Sequence, residues 1–226
     1  MRKILILSAF AALGFGACKK HEDTVSKLVT AEYPVVTITS QQYYSFPVGG
    51  GPLPGVNDIK ATATDTFYHQ TLVPVVDASA LSDLAQGLYV ATVSAKNSNG
   101  FVGYNYVYVG ITNISDTVDI SGTYVRRLSA TDSAVVSITK VATGLYRSNN
   151  IAGVSSSSPQ FIIPGYFVME ADGTTIDVSA QPNAALGSFA GTGGMYSVSA
   201  SDTTVSYVIT SNSNFGSSTR VFHKLN

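Results

Sequence analysis

Two long segments of alternating residue type, joined by an Asn-Gly turn, constrain the fold most. Residues 88–95 and 104–111 are rich in β-branched and aromatic side chains, and the polar run 96–100 between them ends in Asn99-Gly100. Glycine accepts the positive φ that a hairpin turn requires, so this pattern predicts two paired antiparallel strands. Other short strand candidates recur at intervals of about ten residues, which is typical of β-sandwiches and predicts an all-β chain.

Strand candidates continue along the chain, separated by turn residues. In the first half they fall at residues 35–39, 59–64 and 72–76, with a loop rich in glycine and proline at 49–55. In the second half they fall at 122–126, 135–140, 144–147, 161–170, 175–179, 196–200, 205–210 and 220–225. The segment 161–170 is interrupted by Pro164-Gly165. A consecutive meander of about eight strands predicts an up-and-down barrel or a small sandwich.

The N terminus has the three regions of an export signal. Met1-Arg2-Lys3 is basic, residues 4–16 are apolar, and small residues come directly before Cys18, the only cysteine in the chain. About 13 apolar residues are too few to cross a bilayer, which needs roughly 20, so a secretory signal is expected rather than a spanning helix. Cys18 at the cleavage point resembles the lipobox of bacterial lipoproteins, which implies lipidation of Cys18. The alternative is an ordinary secretory signal that leaves a free thiol.

A charged run follows Cys18. Residues 19–23 are similar to the charged patch that routes lipoproteins to the outer face of the cell in some Gram-negative gut bacteria. The resemblance implies a protein that is lipid-anchored in the outer membrane and exposed at the cell surface; periplasm-facing anchoring is the alternative. We therefore interpret residues 1–17 as a lipoprotein signal peptide and 18–32 as a flexible tether.

Residues 33–113 resemble bacterial surface immunoglobulin-like domains. The resemblance lies in residues 34–38, in residues 59–63, and in Gly87-Leu88-Tyr89, which opens a strand that ends in the polar turn 96–100. It implies an N-terminal immunoglobulin-like β-sandwich. It says little about function, because the same sandwich serves many unrelated roles.

The polar run 113–117 breaks the strand pattern and marks a predicted domain boundary. A second antiparallel β domain is expected over residues 118–226. A lipobox, an immunoglobulin-like domain and a β-rich C-terminal domain together resemble lipoproteins encoded beside starch-utilisation-type glycan importers. That resemblance implies an accessory or glycan-binding component of an outer-membrane nutrient uptake system, with a polysaccharide or an importer complex as partner. The alternative is a structural or adhesive surface protein that binds a protein.

The charge of the chain limits its partners. Thirteen Lys and Arg stand against 14 Asp and Glu, a formal net charge of −1, and charged residues make up only 12% of the chain. Nucleic-acid binding needs a basic face to neutralise phosphates, so we expect no nucleic-acid partner. A typical soluble domain has roughly 25% charged residues. Here Ser, Thr, Asn, Gly and Tyr take their place, and the β-branched and aromatic residues suit sheets.

A stripe of tyrosines is the main candidate binding site. Tyr104, Tyr106 and Tyr108 alternate along one predicted strand, so their rings share one face. Tyr43, Tyr44 and Phe46 form a second aromatic cluster in the same domain. Aromatic faces bind sugar rings through apolar contact, which makes the five tyrosines candidate ligand contacts. We expect the stripe to be exposed. The alternatives are that it half-covers a sheet or packs at the junction between domains.

Catalytic and metal-binding patterns are missing from the sequence. His21, His69 and His223 are far apart and have no ligand pattern around them, so no metal and no cofactor are expected. Glu170 and Asp172 are the only carboxylate pair that suggests glycoside hydrolysis, and they flank a predicted turn. We therefore expect a protein that is not an enzyme.

Four positions match a short Asp-Ser/Thr-apolar signal, similar to that used for O-glycosylation of exported proteins in such bacteria. The hydroxyl residues are Thr24, Thr117, Ser133 and Thr203, each preceded by Asp. Composition alone would produce some of these matches in a chain rich in Ser and Thr. The first two fall in the predicted tether and the predicted linker, where a glycan would cover exposed backbone.

Overall fold

The computed structural model describes residues 32–183 and 186–225. Cys18 and Thr24 therefore lie outside the described residues. Within the described ranges the chain forms fifteen β-strands and one short 3₁₀ helix, Pro159–Phe161, which confirms the all-β prediction. None of the helical structure in these ranges has the length and hydropathy needed to cross a membrane.

The first half of the described chain builds two sheets. Its strands are β1 (Val35–Ile38), β2 (Tyr43–Phe46), β3 (Ala61–Asp65), β4 (Gln70–Leu72), β5 (Val75–Asp77), β6 (Gly87–Lys96) and β7 (Val102–Ile111). One sheet has the order β1-β3-β4 and the other the order β2-β7-β6-β5. The predicted hairpin is present as β6 and β7, paired antiparallel along their full length. Gly100 lies in its turn with φ of 89°, as the Asn-Gly signal predicts.

The two sheets share a core because their strands alternate. In β6 and β7, Val93, Val107 and Val109 are completely buried, while the residues between them point away from this core. Val36 of β1 and Ala63 of β3 close the core from the other sheet. Alternation of this kind places every second side chain on one face, so the valines fill the space between the sheets. The structure is a two-sheet sandwich.

One local prediction for this half is wrong, and one strand was not predicted. The segment 72–76 is not one strand, since the chain leaves β4 after Leu72 and enters β5 at Val75, in the other sheet. Pro74 between them has no N–H to donate to a continuous ladder. Residues 43–46, interpreted from the sequence only as an aromatic cluster, form β2, which pairs parallel with β7. Parallel partners are distant in the sequence, so no local pattern reveals the pairing.

The second half is a closed barrel of eight strands. These are β8 (Gly122–Arg127), β9 (Ser133–Ala142), β10 (Leu145–Ser148), β11 (Gly165–Met169), β12 (Thr175–Asp177), β13 (Ala190–Val198), β14 (Thr203–Thr210) and β15 (Thr219–Lys224). Each strand pairs antiparallel with the next, and β15 closes on β8 through His223 and Lys224. Of the two predicted architectures the structure selects the barrel. The segment 161–170 was predicted as a longer strand interrupted at Pro164-Gly165, but only Gly165–Met169 form a strand, β11, and Phe161 ends the 3₁₀ helix.

Side chains fill the barrel. Tyr124, Tyr146, Phe167, Tyr207 and Phe222 all belong to one buried cluster inside it. Eight strands enclose a space that side chains of this size occupy completely. The described side chains of the barrel interior therefore form a packed core.

At one end of the barrel, polar side chains form hydrogen bonds to the backbone of the loop that covers this end. The loop between β10 and β11 crosses this end, and Tyr207 Oη donates to the Ile151 carbonyl at 2.6 Å. Arg220 Nε and Arg126 Nη1 both donate to the Ala152 carbonyl, at 3.0 and 3.2 Å. Arg220 is only 2% exposed. Backbone carbonyls therefore solvate a buried guanidinium here, and the guanidinium fixes the loop.

Candidate functional site

The predicted tyrosine stripe lies on the outer face of the four-stranded sheet and changes from exposed to buried along β7. Tyr104 is 55% exposed, Tyr106 is half-buried, and Tyr108 is only 7% exposed. The three rings share one face, as alternation predicts, and Val107 and Val109 lie on the opposite, buried face. The expectation of an exposed stripe therefore describes Tyr104 and fails at Tyr108.

Tyr108 is buried because the barrel covers that end of the sheet. Its ring stacks on Tyr166 of β11, with ring centroids 3.7 Å apart and planes 26° apart. Tyr43 of β2 stacks on Tyr108 and shares a 3.1 Å hydrogen bond between its hydroxyl and that of Tyr166. Burial, followed by the proximity of Tyr166, raises the pKa of Tyr108. Tyr43 and Tyr108 therefore join the sandwich to the barrel, which corrects their interpretation as ligand contacts.

Tyr44 has a different structural role. Its ring stacks on Phe46 with centroids 6.2 Å apart, and it packs against the core of the sandwich. Alternation along β2 turns Tyr44 away from Tyr43, so the two do not form one surface. Tyr44 does not line the aromatic cleft described below, and its role as a ligand contact stays a prediction.

Hydrogen bonds fix the barrel against the sandwich beside the stacked tyrosines. The Asp177 carboxylate accepts the Leu88 backbone N–H at 2.7 Å, and the Gln86 side-chain oxygen accepts the Ala171 N–H at 2.8 Å. The Thr112 hydroxyl donates to the carbonyl of a buried residue of β11, Met169, at 2.7 Å. Together with the rings, these bonds hold the two halves in one arrangement, so a cleft between them is preformed.

Such a cleft begins where the barrel stops covering the tyrosine stripe. Its volume is about 580 Å³, within the roughly 300–1,000 Å³ usual for small-molecule sites. The lining residues, which define the aromatic cleft, are Tyr33, Pro34, Val102, Gly103, Tyr104, Tyr106 and Asn183. The structure therefore brings two of the five predicted tyrosines together with a third that the sequence analysis did not select.

Close packing of the chain on β7 creates the wall of the aromatic cleft. A Cβ on Gly103 would lie 1.9 Å from the Pro34 carbonyl oxygen, so only glycine lets the segment before β1 pass this closely. Asn105 ties the same segment down by donating to the Val36 carbonyl at 2.9 Å. Tyr33 packs on Phe101 with ring centroids 5.4 Å apart. Tyr33 is thereby held at the cleft although it is 60% exposed.

Tyr33 and Asn183 were missed for understandable reasons. Tyr33 is the first residue after the predicted tether, and nothing local distinguishes it from a linker tyrosine. Asn183 follows β12 in a polar segment of the barrel, and its position at the cleft depends on how the barrel sits on the sandwich. The proline after Tyr33 and the glycine in β7 are weak signals of close approach, but neither identifies the partner segment.

Asp172 and His223, two of the residues considered from the sequence, are engaged in local contacts, and His21 lies outside the described residues. Asp172 uses its carboxylate within its own turn, where it accepts the Thr175 hydroxyl and the Thr175 and Thr174 N–H groups, and these bonds lower its pKa. His223 Nδ1 lies 2.7 Å from Asp202 Oδ2. Within the described ranges no three His, Cys, Asp or Glu residues are grouped to hold a metal ion. The absence of metal and of catalysis stays a prediction.

The predicted O-glycosylation positions that the structure describes all precede or begin a strand. Thr117 is exposed in the connection between β7 and β8, Ser133 is exposed at the start of β9, and Thr203 is half-buried at the start of β14. The Thr117 hydroxyl shares a 2.8 Å hydrogen bond with Ser115 Oγ. Accessibility favours Thr117 and Ser133 over Thr203, and modification itself stays a prediction.

Fold and site together define an all-β protein in which a closed barrel and a two-sheet sandwich share an aromatic cleft. No protein-family model matches the sequence, and no curated protein matches it. Among solved structures the chain is similar to the crystal structure of the lipoprotein BT2262 from Bacteroides thetaiotaomicron. The two share 14% sequence identity over 85% of this chain and 100% of that chain, with a TM-score of 0.34. A TM-score this low carries no conclusion about the fold or function of the present chain.

Proposed function

We propose that this chain is a non-catalytic surface lipoprotein that binds glycan in its aromatic cleft. The observation that carries the proposal is the convergence of Tyr33, Tyr104 and Tyr106 around one preformed cleft. Exposed tyrosine rings offer an apolar face to the C–H groups of a sugar and a hydroxyl to its rim. In this proposal the protein serves as an accessory component of an outer-membrane nutrient uptake system, with a polysaccharide or an importer complex as partner.

The surface location in this proposal rests on the first residues of the sequence. A basic start, a short apolar run and a single cysteine at the cleavage point support lipidation of Cys18. Three acyl chains on one N-terminal cysteine exceed the two signals needed for stable attachment. The resemblance of the charged residues 19–23 to a surface-routing patch supports outer-membrane placement with exposure at the cell surface, and periplasm-facing anchoring is the alternative.

The immunoglobulin-like interpretation of residues 33–113 is part of the same proposal. It is supported by two packed sheets, in which the long β6–β7 hairpin forms the centre of one sheet. In this arrangement the sandwich supplies most of the cleft and the barrel contributes Asn183. The sandwich is then a binding element as well as a spacer.

A protein partner is the second candidate function, because one sheet edge carries exposed apolar side chains. β5 is an edge strand of the four-stranded sheet, and Val73 and Val75 at this edge are strongly exposed. An edge strand has unpaired backbone groups that an added strand from another protein can use. This observation favours an adhesive or structural role at a surface separate from the aromatic cleft.

Affinity electrophoresis tests the glycan proposal. The full chain, solubilised in a mild detergent, is run in native gels with and without soluble polysaccharides. We expect retardation by at least one polysaccharide and its loss in Tyr104→Ala, because removing a central ring from the cleft removes most of the stacking contact. Tyr68→Ala is the matched control, since Tyr68 is an exposed tyrosine that does not line the cleft. Equal loss in both variants, or retardation by none, would refute the proposal.

Labelling with an alkyne fatty acid tests the anchor. Wild-type protein should incorporate the label, and Cys18→Ala should not, because the chain contains no second thiol that could accept the lipid. Incorporation of equal label by Cys18→Ala would contradict lipidation at this residue.

A further inference from the structure

None of the described residues that line the aromatic cleft carries a charge. These seven residues are three tyrosines, one asparagine, a proline, a valine and a glycine. Proteins that bind carboxylate, sulfate or phosphate groups place arginine or lysine against them, because removing such an anion from water without a counter-charge is costly. The composition of the lining therefore bears directly on the charge of its ligand.

The environment of Tyr106 agrees with an uncharged site. Burial raises the pKa of the Tyr106 phenol, and the proximity of Tyr104 raises it further. Among the described residues no acidic or basic side chain contributes to this shift. The phenol therefore stays protonated at physiological pH, as a neutral donor and acceptor.

The polar groups of the aromatic cleft match hydroxyls. Asn183 Oδ1 already accepts the Leu186 N–H at 2.9 Å, so the match rests on the phenols of the three lining tyrosines. A phenol has one O–H donor and two lone pairs, and a sugar hydroxyl likewise donates and accepts, so the two can pair in either sense. An anionic substituent only accepts, and the described residues of the lining offer it no charged donor.

Two charged residues, Lys96 and Glu32, lie beside lining residues but do not themselves line the cleft. Each can therefore be mutated without changing the lining. Lys96 pairs across the hairpin with Val102 and is exposed on the same sheet face, while its Cε approaches Gly100 in the turn. Glu32 precedes Tyr33, and its carboxylate accepts the Thr66 hydroxyl at 3.2 Å. Lys96, directly opposite the lining residue Val102, is therefore a rim cation that could attract an acidic ligand.

From these observations we infer that the aromatic cleft selects neutral saccharides and rejects uronic-acid and sulfated ones. The inference rests on the proposed glycan-binding function and adds the chemical class of the ligand. Affinity comes from ring stacking and neutral hydrogen bonds. Binding is consequently insensitive to salt, since screening weakens only interactions between charges.

Affinity gels test this inference by comparing neutral with acidic polysaccharides, low with high salt, and variants with the wild-type chain. Gels contain neutral polysaccharides (dextran, galactan, hydroxyethyl cellulose) or acidic counterparts (carboxymethyl dextran, polygalacturonate, carboxymethyl cellulose). We expect a neutral polysaccharide to retard the full chain equally at about 50 mM and about 500 mM NaCl, and its acidic counterpart to retard it less. Tyr104→Ala should weaken the affinity about tenfold or more. Lys96→Gln, the matched rim variant, should change it less than about twofold.

The outcomes distinguish a failure of neutral selectivity from a failure of the proposed glycan binding itself. Acidic polysaccharides could instead retard the protein, with retardation that weakens at high salt and in Lys96→Gln and is lost in Tyr104→Ala. That result would overturn neutral selectivity but would leave glycan binding at the cleft intact. Retardation by neither class overturns glycan binding and the inference together. Neutral binding that survives in Tyr104→Ala places the site elsewhere and refutes both assignments to the cleft.

Discussion

The ring of Tyr108 in the sandwich stacks on the ring of Tyr166 in the barrel, with centroids 3.7 Å apart. Leu88, Leu145 and Val168 surround the pair in a third buried cluster, separate from the cores of the sandwich and of the barrel. The two halves of the protein therefore share a small core of their own. Rings in contact contribute beyond the area they bury, so the pair should be energetically coupled.

A double-mutant cycle measures that coupling. Tyr108→Leu and Tyr166→Leu should each destabilise the chain, and the double variant should lose less than the sum by about 0.5–1.5 kcal/mol, the usual worth of an aromatic pair. Urea unfolding followed by circular dichroism gives the free energies. As a control, Tyr108→Leu combined with Tyr207→Phe in the barrel core should be additive. Additivity in the Tyr108–Tyr166 cycle would show that the stacking carries no specific energy.

Local patterns were enough to predict part of this structure. The β6–β7 hairpin and the consecutive barrel strands follow from alternation and turn residues, which act over a few positions. The parallel pairing of β2 with β7 joins Tyr43 to Tyr108, and no local rule connects residues so far apart. Which side of the sheet meets the barrel is likewise a tertiary property. The tyrosine stripe was therefore found, but its division between interface and cleft was not.

The arginine inside the barrel end gives a second stability prediction. Arg220 donates to the carbonyls of Ala152, Ser218 and Phe215. Arg220→Met keeps a side chain of similar length but removes these three hydrogen bonds, leaving the Ala152 carbonyl with only Arg126 as a donor, which should cost about 1–3 kcal/mol. Arg127→Met, on the neighbouring strand β8 and exposed, is the control and should change stability little. If Arg220→Met and Arg127→Met had similar melting temperatures, the proposal that Arg220 fixes the loop between β10 and β11 would be contradicted.

Glu170 should make stability depend on pH. Burial, then the Asp172 and Asp177 carboxylates, raise the pKa of Glu170 above its ordinary 4.5. The folded chain then holds this proton more tightly than the unfolded chain, so the stabilisation is complete below pH 4.5 and is lost as pH rises through the folded pKa. Glu170→Gln should raise the melting temperature at neutral pH and leave it unchanged near pH 3.5. If Glu170→Gln instead lowered the melting temperature at neutral pH, the expected destabilising effect of the ionised Glu170 would be contradicted.

The barrel should fold without the sandwich, because it is closed and has its own core. A fragment of residues 118–226 is expected to melt cooperatively, at a lower temperature than the full chain, since Tyr166 and Val168 lose their cover. Circular dichroism checks both sheet content and the transition. Tyr166→Ser in the fragment should improve solubility without lowering its melting temperature. A fragment that shows no cooperative transition would make the whole described chain a single folding unit.

Gly103 should be essential for the aromatic cleft. In Gly103→Ala the new Cβ meets the Pro34 carbonyl oxygen at 1.9 Å, so the segment carrying Tyr33 must move away from β7. Overpacking of this kind should destabilise the chain by about 1–3 kcal/mol, and the displaced Tyr33 should weaken polysaccharide retardation. Gly55→Ala is the matched control, because its nearest atom, Asp58 Oδ2, is at an ordinary 3.5 Å. Urea unfolding and affinity gels measure the two effects separately. Unchanged stability and retardation in Gly103→Ala would show that the close approach of Pro34 does not shape the cleft.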